Sequence, residues 1–290
     1  MYKFIYDTDQ LESFYNCFAK ELCGSLDVRA STSLKVMLQS RRKYNEEHHQ
    51  SIATVTLLRR QFELHKDSKE FVKFIRRFEI ADGLYCDRQK DGTEVVLKSD
   101  SMVLYVTSNA LSRIEATKKT VKTIVNDGLF EQPKQTVVRK KEMSGEDESV
   151  KEAFMSLDSV FLTELHQSPS TKMQRFDVDC QEEQFIKELD TLLIDEDADV
   201  IFAIKTRSGY HYVVRTGPFM RKMNSFLEKN REKISVDKNG MNALPGTFQG
   251  GAQVQLIFAK GEKNYSKLPS LLPPPERKHA ATETKHEVQS

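Results

Sequence analysis

Four consecutive residues, Phe176-Asp177-Val178-Asp179, set two carboxylates two positions apart. In an extended strand alternate side chains share a face, so Asp177 and Asp179 point one way while Phe176 and Val178 point inward. Two carboxylates a few ångströms apart repel unless a cation sits between them. Hard divalent ions such as Mg²⁺ or Mn²⁺ favour such oxygen ligands and often complete their shells with substrate phosphates. By itself the pair is a weak signal, since D-x-D recurs by chance in many chains and reads more simply as a solvated strand end. A second stretch, Thr206-Arg207-Ser208-Gly209-Tyr210-His211, reads as a strand-to-strand turn. Gly209 permits a tight turn whose backbone N–H groups can face a phosphate. His211 can donate a charge-assisted bond to the same anion, with Arg207 and Ser208 beside it. An ordinary hairpin with a surface histidine would share that sequence. A third stretch, Ser235-Val236-Asp237, precedes Ala243-Leu244-Pro245-Gly246-Thr247. Asp237 offers a third carboxylate and the Pro-Gly pair a fixed turn that shapes the pocket wall, although residues 237–240 also make a sound bare turn.

The order of the three is more specific than any one of them. A strand with D-x-D, a helix, a strand, S-G-x-H, then a hydrophobic residue and Asp ahead of a P-G-T turn resembles the three-motif pattern of the archaeo-eukaryotic primase superfamily. The resemblance is closest to its small primase-polymerase branch and covers residues 173–258. It implies that Asp177, Asp179 and Asp237 bind two metal ions, Mg²⁺ or Mn²⁺, at the catalytic centre. It also implies that Ser208 and His211 hold the incoming nucleotide's triphosphate, with Lys205 and Arg207 adding positive charge beside them. Arg215, Arg221 and Lys222 lie near in sequence. Where the family often carries a basic residue before the P-G turn, this chain has Asn242 and Ala243, and no cysteine set matches the zinc element of replicative small subunits. A smaller, specialised relative fits better than a replicative primase.

Alternating strands and helices must position these residues. Residues 173–179 read as a strand, 181–193 as a helix through Phe185, Leu189 and Leu192, and 199–205 and 209–215 as a hairpin. Pro218 opens a helix to about Lys233, and residues 253–258 form a last strand. Upstream, residues 11–22, 31–40, 51–64 and 68–80 read helical, and Asp91-Gly92 closes a hairpin. A strand at 102–107 and a basic helix from Asn109 to Val125 follow; 140–148 is a charged loop and 158–165 a strand. The expected fold class is α/β (α+β): a mixed-sheet catalytic core with packed helices at 101–262, after a mainly helical region at 1–100. The Pro-rich, polar tail, 263–290, is expected to be disordered.

Composition narrows the class further. The 290 residues carry 44 basic and 43 acidic side chains, so any nucleic-acid surface must come from local clustering. Arg41-Arg42-Lys43, Arg59-Arg60 and Arg76-Arg77 are such clusters, near Tyr44, Phe62 and Phe78, which could stack on bases. Arg113, Lys118 and Lys119, in the basic helix, are the candidate nucleic-acid contacts, although charge runs on helices are commonly just a solvated face. The four scattered cysteines include no zinc spacing. No apolar run is long enough to span a membrane, and the expected setting is intracellular and soluble, cytoplasmic or nucleoid-associated. The leading expectation is a template-directed nucleotidyltransferase using nucleoside triphosphates and a single-stranded nucleic-acid template. A helicase or another replication protein is a candidate partner. Two alternatives stand beside it: another metal-dependent nucleotidyl- or phosphoryl-transferring enzyme, including a nuclease, and a catalytically silent nucleic-acid-binding replication protein.

Overall fold

In the computed structural model the described residues are 1–22, 26–47, 52–88, 93–126, 157–171, 173–237 and 240–269. The charged stretch 140–148 and the tail beyond 269 lie outside them.

The first helix begins where the Asp7 carboxylate accepts the free N–H groups of Asp9 and Gln10. It is α1 (Thr8–Cys17), extended by a π-turn over Phe18–Leu22. Then come α2 (Leu26–Ala30), β1 (Thr32–Ser40), α3 (Arg42–Glu47), β2 (Val55–Glu63), α4 (Ser68–Arg76), β3 (Cys86–Arg88) and β4 (Glu94–Val96). A middle block holds β5 (Met102–Thr107), β6 (Leu111–Ser112), α5 (Arg113–Asn126) and α6 (Leu157–His166). The last block is β7 (Met173–Val178), α7 (Glu183–Asp195), β8 (Val200–Lys205), β9 (Tyr210–Arg215), α8 (Met220–Lys229), β10 (Ile234–Asp237), β11 (Met241–Ala243), β12 (Phe248–Gln249), β13 (Ala252–Gln253) and β14 (Gln255–Ala259). No helix among the described residues is long and apolar enough to cross a membrane.

The α/β class expected from the sequence is present, as helices packed on sheets. The strands form a seven-stranded sheet ordered β13-β12-β5-β1-β2, with β11 on β5 and β6 on β1, and a five-stranded sheet ordered β10-β7-β9-β8-β14. Pairing among these strands is antiparallel, as short hairpin connections such as β8 to β9 require. Where residues 31–40 and 51–64 are expected as helices, the chain forms the strands β1 (Thr32–Ser40) and β2 (Val55–Glu63). Leu34, Val36 and Leu38 alternate into the core, all fully buried, which is a period of two. The first hundred residues therefore mix helices with two nine-residue strands. The opposite correction applies to residues 158–165. They are helical in α6, because Phe161, Leu162 and Leu165 must meet Leu111 and Ala116 from one helix face.

One continuous core joins both sheets through α1. Phe14 meets Phe202 of β8 edge-on at 5.2 Å, while Tyr15 stacks on Phe71 of α4 at 4.9 Å. Gln10 Oε1 accepts the N–H of Leu256 at 2.7 Å, fixing the same helix to β14. A second core lies under α7 and α8, where Phe185, Leu189 and Met223 cover Phe176, Tyr212 and Val214. There Tyr212 Oη donates to the fully buried Asp190 at 2.8 Å.

Candidate active site

Strand β7 presents the carboxylates. Its neighbours set Asp177 opposite His211 on β9 and Ser235 on β10, and Arg175 opposite Asp237. Strand alternation puts Arg175, Asp177 and His211 on one face while Phe176, Val178 and Tyr212 enter the second core. His211 Nε2 lies 3.2 Å from Asp177 Oδ1. His211 is 6% exposed, so it is not the surface histidine of an ordinary hairpin. Arg175 Nη2 lies 3.0 Å from Asp177 Oδ2 and 3.6 Å from Asp237 Oδ2, so its guanidinium sits between the two carboxylates. Its Nη1 donates to the Met241 carbonyl. Gly240 makes room for it: a Cβ there would fall 2.7 Å from Arg175 Nε. Asp179 lies just past the strand, exposed, its N–H donating to the Lys233 carbonyl at 2.9 Å.

Burial alone would push the Asp177 carboxyl up, but the hydrogen bond and charge of His211, with Arg175 and Lys43, hold it below its ordinary value. A depressed carboxyl contributes stability that is present above its unfolded pKa and lost as pH falls through the lower folded one. The His211→Gln variant removes the strongest partner. Its Asp177 carboxyl is expected to titrate at higher pH, followed by ¹³C NMR of the side chain. An unshifted titration would show that the pair does not operate in solution.

The facing wall comes from the other sheet. Met37 and Gln39 of β1, Tyr105 of β5, and Arg41 and Lys43 line the same cleft as Asp177, Asp179, Ser208, His211 and Asp237. Its volume is about 550 Å³, within the range of small-molecule sites. Arg41 Nη1 donates to Tyr105 Oη at 2.5 Å. The Lys43 ammonium lies 5.1 Å from the Tyr44 ring centroid and acts on Asp177 across the cleft. A carboxylate wall thus faces a cationic one.

The loop between β8 and β9 is held from both sides. Thr206 N–H donates to the Gly209 carbonyl at 2.8 Å and Gly209 N–H to Thr206 Oγ1 at 3.2 Å, so that N–H is spent inside the turn. Glycine is required at 209 by close approach: a Cβ would lie 1.8 Å from the Val178 carbonyl oxygen. Ser208 is exposed and lines the cleft. Arg207 does not line it. Its N–H donates to Gln249 Oε1 at 3.1 Å, Nη1 to the Gly250 carbonyl at 3.0 Å, and Nη2 pairs with Glu47 at 2.7 Å, while the guanidinium covers the Tyr44 ring at 4.8 Å. Arg207 therefore ties the loop to α3 and to the β12–β13 turn. Its replacement by Ala is expected to cost about 1–2 kcal/mol in urea unfolding, the scale of one charged hydrogen bond and a cation–π contact. A variant as stable as the parent would remove it from this structural role.

The remaining expected residues lie elsewhere. Lys205 ends β8 outside the cleft lining. On α5, Arg113 pairs with Glu63 at 2.7 Å, Lys118 with Glu115 at 2.8 Å, and Lys119 donates to the Gln167 carbonyl at 2.7 Å. None of the three lines the cleft. The sequence reading did not single out Arg175, although its position two before Asp177 assigns it to the same strand face. It saw Arg41 and Lys43 only as a basic cluster, and missed Tyr105 and His166.

Asp177, Asp179 and Asp237 supply the hard oxygen donors that a divalent ion prefers. Among the described residues no group of three or more His, Cys, Asp or Glu side chains stands ready to hold a metal. The reason is on the strand itself: Arg175 fills the space between Asp177 and Asp237, and both can join one ion only when that guanidinium turns away. Compared with protein-family models, curated proteins and solved structures, the chain matches none.

Proposed function

We propose that the chain is a metal-dependent, template-directed nucleotidyltransferase of the primase-polymerase kind, joining nucleoside triphosphates into DNA or RNA along a single-stranded template. The supporting observation is the two-walled cleft, with Asp177, Asp179 and Asp237 on one side and Arg41 and Lys43 on the other. Nucleotidyl transfer needs both signs of charge within a few ångströms, anions to hold cations and cations to hold a triphosphate. In this reading the three carboxylates hold Mg²⁺ or Mn²⁺. Bound there, the ions would activate the attacking 3′-hydroxyl and neutralise the departing pyrophosphate. His211 keeps Asp177 ionised and oriented through its 3.2 Å contact. Ser208 and Lys43 reach the triphosphate from the loop and from the opposite wall.

The test is nucleotide incorporation on a single-stranded template, with and without a primer, in Mg²⁺ and in Mn²⁺. Extension that depends on template, triphosphate and metal supports the reading, and the unprimed lanes decide whether synthesis starts unaided. One observation favours a second reading, a catalytically silent nucleic-acid-binding protein: Arg175 already pairs with two of the three carboxylates and offsets one of their two charges. That protein would bind nucleic acid in a salt-sensitive way and incorporate nothing in either metal.

A further inference from the structure

The cationic wall does not end at Arg41. Along β1 the side chains Ser33, Lys35, Met37 and Gln39 share one face, while Leu34, Val36 and Leu38 enter the core. Met37 and Gln39 line the cleft, so this face is continuous with it. On the neighbouring strand Gln61 stands opposite Lys35 and Arg59 opposite Met37, which makes Lys35 and Arg59 diagonal neighbours across the β1–β2 pair. His166, at the end of α6, also lines the cleft and is within electrostatic reach of Lys35, Arg59 and Asp237.

Lys35 and Arg59 have unusual surroundings. Lys35 is 5% exposed, yet no described carboxylate lies within ion-pair distance of it or of Arg59. Glu63, the nearest acid along β2, is engaged by Arg113 at 2.7 Å. Burial and the nearby Arg59 charge bring the Lys35 ammonium down to about 8. Burying a cation beside another cation is unfavourable, and an anion between them would relieve both costs. Two buried polar atoms also have no hydrogen-bond partner among the described residues, Ser33 Oγ on the same face and Nδ1 of His166.

We propose that Lys35 and Arg59, with His166 and Ser33, form a phosphate subsite that holds the backbone of a single nucleic-acid strand running from the carboxylates of β7 along β1. From Lys35 to Arg41 the wall extends roughly 20 Å at ~3.3 Å per strand residue. That length takes about six stacked nucleotides at ~3.4 Å each. Arg59 is exposed and meets a phosphate first, with Lys35 beneath it. The subsite rests on the proposed reading only in that the ligand is a nucleic acid; it needs no catalysis.

The experiment is fluorescence anisotropy with a labelled single-stranded oligodeoxynucleotide in EDTA, over a series of salt concentrations. The Lys35→Gln/Arg59→Gln chain is compared with the parent and with Lys187→Gln/Lys229→Gln, a charge-matched control on α7 and α8. Circular dichroism melts confirm that each chain is folded, and Lys35→Gln and Arg59→Gln singly cover the case in which the double variant is not. The Lys35 and Arg59 variants are expected to weaken binding at least tenfold at low salt. The slope of log affinity against log salt should fall by about 0.7 for each lost phosphate contact. Unchanged affinity and slope overturn the subsite, as does an equal loss in the control. A binding loss in chains that incorporate no nucleotide leaves the subsite standing and removes only the polymerase reading.

Discussion

A chain carrying Asp177→Ala and Asp179→Ala is expected to lose at least about a thousandfold in nucleotide incorporation while its binding of single-stranded nucleic acid persists. The size follows from what the carboxylates are proposed to hold. A cation that neutralises developing charge is worth several kcal/mol in the transition state, and each ~1.4 kcal/mol is a factor of ten in rate. The double change removes two of the three donors and leaves Arg175 and His211 facing a cleft with Asp237 as its remaining proposed carboxylate ligand, so local repulsion rises. Some loss of stability is therefore expected as well, and activity should be compared at a temperature where both chains are folded. Substitution by Asn at the same positions keeps the shape and is expected to be nearly as inactive, since neutral amides bind divalent ions weakly. Activity within tenfold of the parent in either variant would remove these residues from the chemistry.

The second large effect is expected from a residue that carries no functional group. Gly209→Ala would place a methyl 1.8 Å from the Val178 carbonyl oxygen and 3.0 Å from the Cys180 N–H nitrogen. Both obstacles are backbone, and both belong to the segment that carries Asp177 and Asp179. Either the β8–β9 loop lifts off, releasing Arg207 from Gln249, or the end of β7 shifts with its carboxylates. A cost of about 3 kcal/mol or more in urea unfolding is expected, at the upper end for overpacking. Activity should fall by an additional factor on the order of a hundred, because displacements near 1 Å suffice for that. Gly83→Ala is the comparison. Gly83, unlike Gly209, has a backbone unfavourable for other residues, at φ +85°, but a Cβ there meets nothing within 4 Å. Only conformational strain of about 1 kcal/mol is expected. If the two variants were equally stable, the tight seat of the loop on β7 would not exist in solution.

The sequence made the core of the site legible and left its other wall obscure, for physical reasons that differ by element. Strand β7 and helix α7 were readable because their buried residues are interleaved with charged ones at a clear period, and β8 and β9 because two short apolar runs flank the Gly209 turn. Phe176 and Val178 against Asp177 and Asp179 is such a pattern. Strand β1 was not. Leu34, Met37 and Leu38 fit a helical spacing as well as Leu34, Val36 and Leu38 fit a strand, and a nine-residue run cannot decide between them. Misreading that strand hid the facing wall, because the neighbour relations that join Lys35 to Arg59 and Met37 to Tyr105 exist only between strands. Arg207 shows the reverse error. Its place beside Ser208 and His211 suggested an anion contact, but nothing local in sequence announces Glu47 or the Gly250 carbonyl as partners. The Pro245-Gly246 turn was expected to shape the pocket wall. Its carbonyl instead receives the N–H groups of Tyr6 and Asp7 at 3.0 and 3.2 Å.

That last contact bears on the order in which the molecule can be made. Helix α1 closes the core, but Ile5 bridges Thr247, and Gln10 holds Leu256, some 246 positions later in the chain. During synthesis at ~5–20 residues per second, the first helix waits roughly 10–50 seconds for the partners that seat it. Until then Phe14 and Phe18 have no Phe202 to cover them, since β8 is also still to come. The nascent chain thus spends most of its translation time with the Phe14 and Phe18 face of its first helix uncovered, and contacts so far apart in sequence are slow to close as well. Cells producing this protein should show its early chains held by chaperones, and stop codons placed before residue 247 should yield aggregates instead of smaller folded pieces.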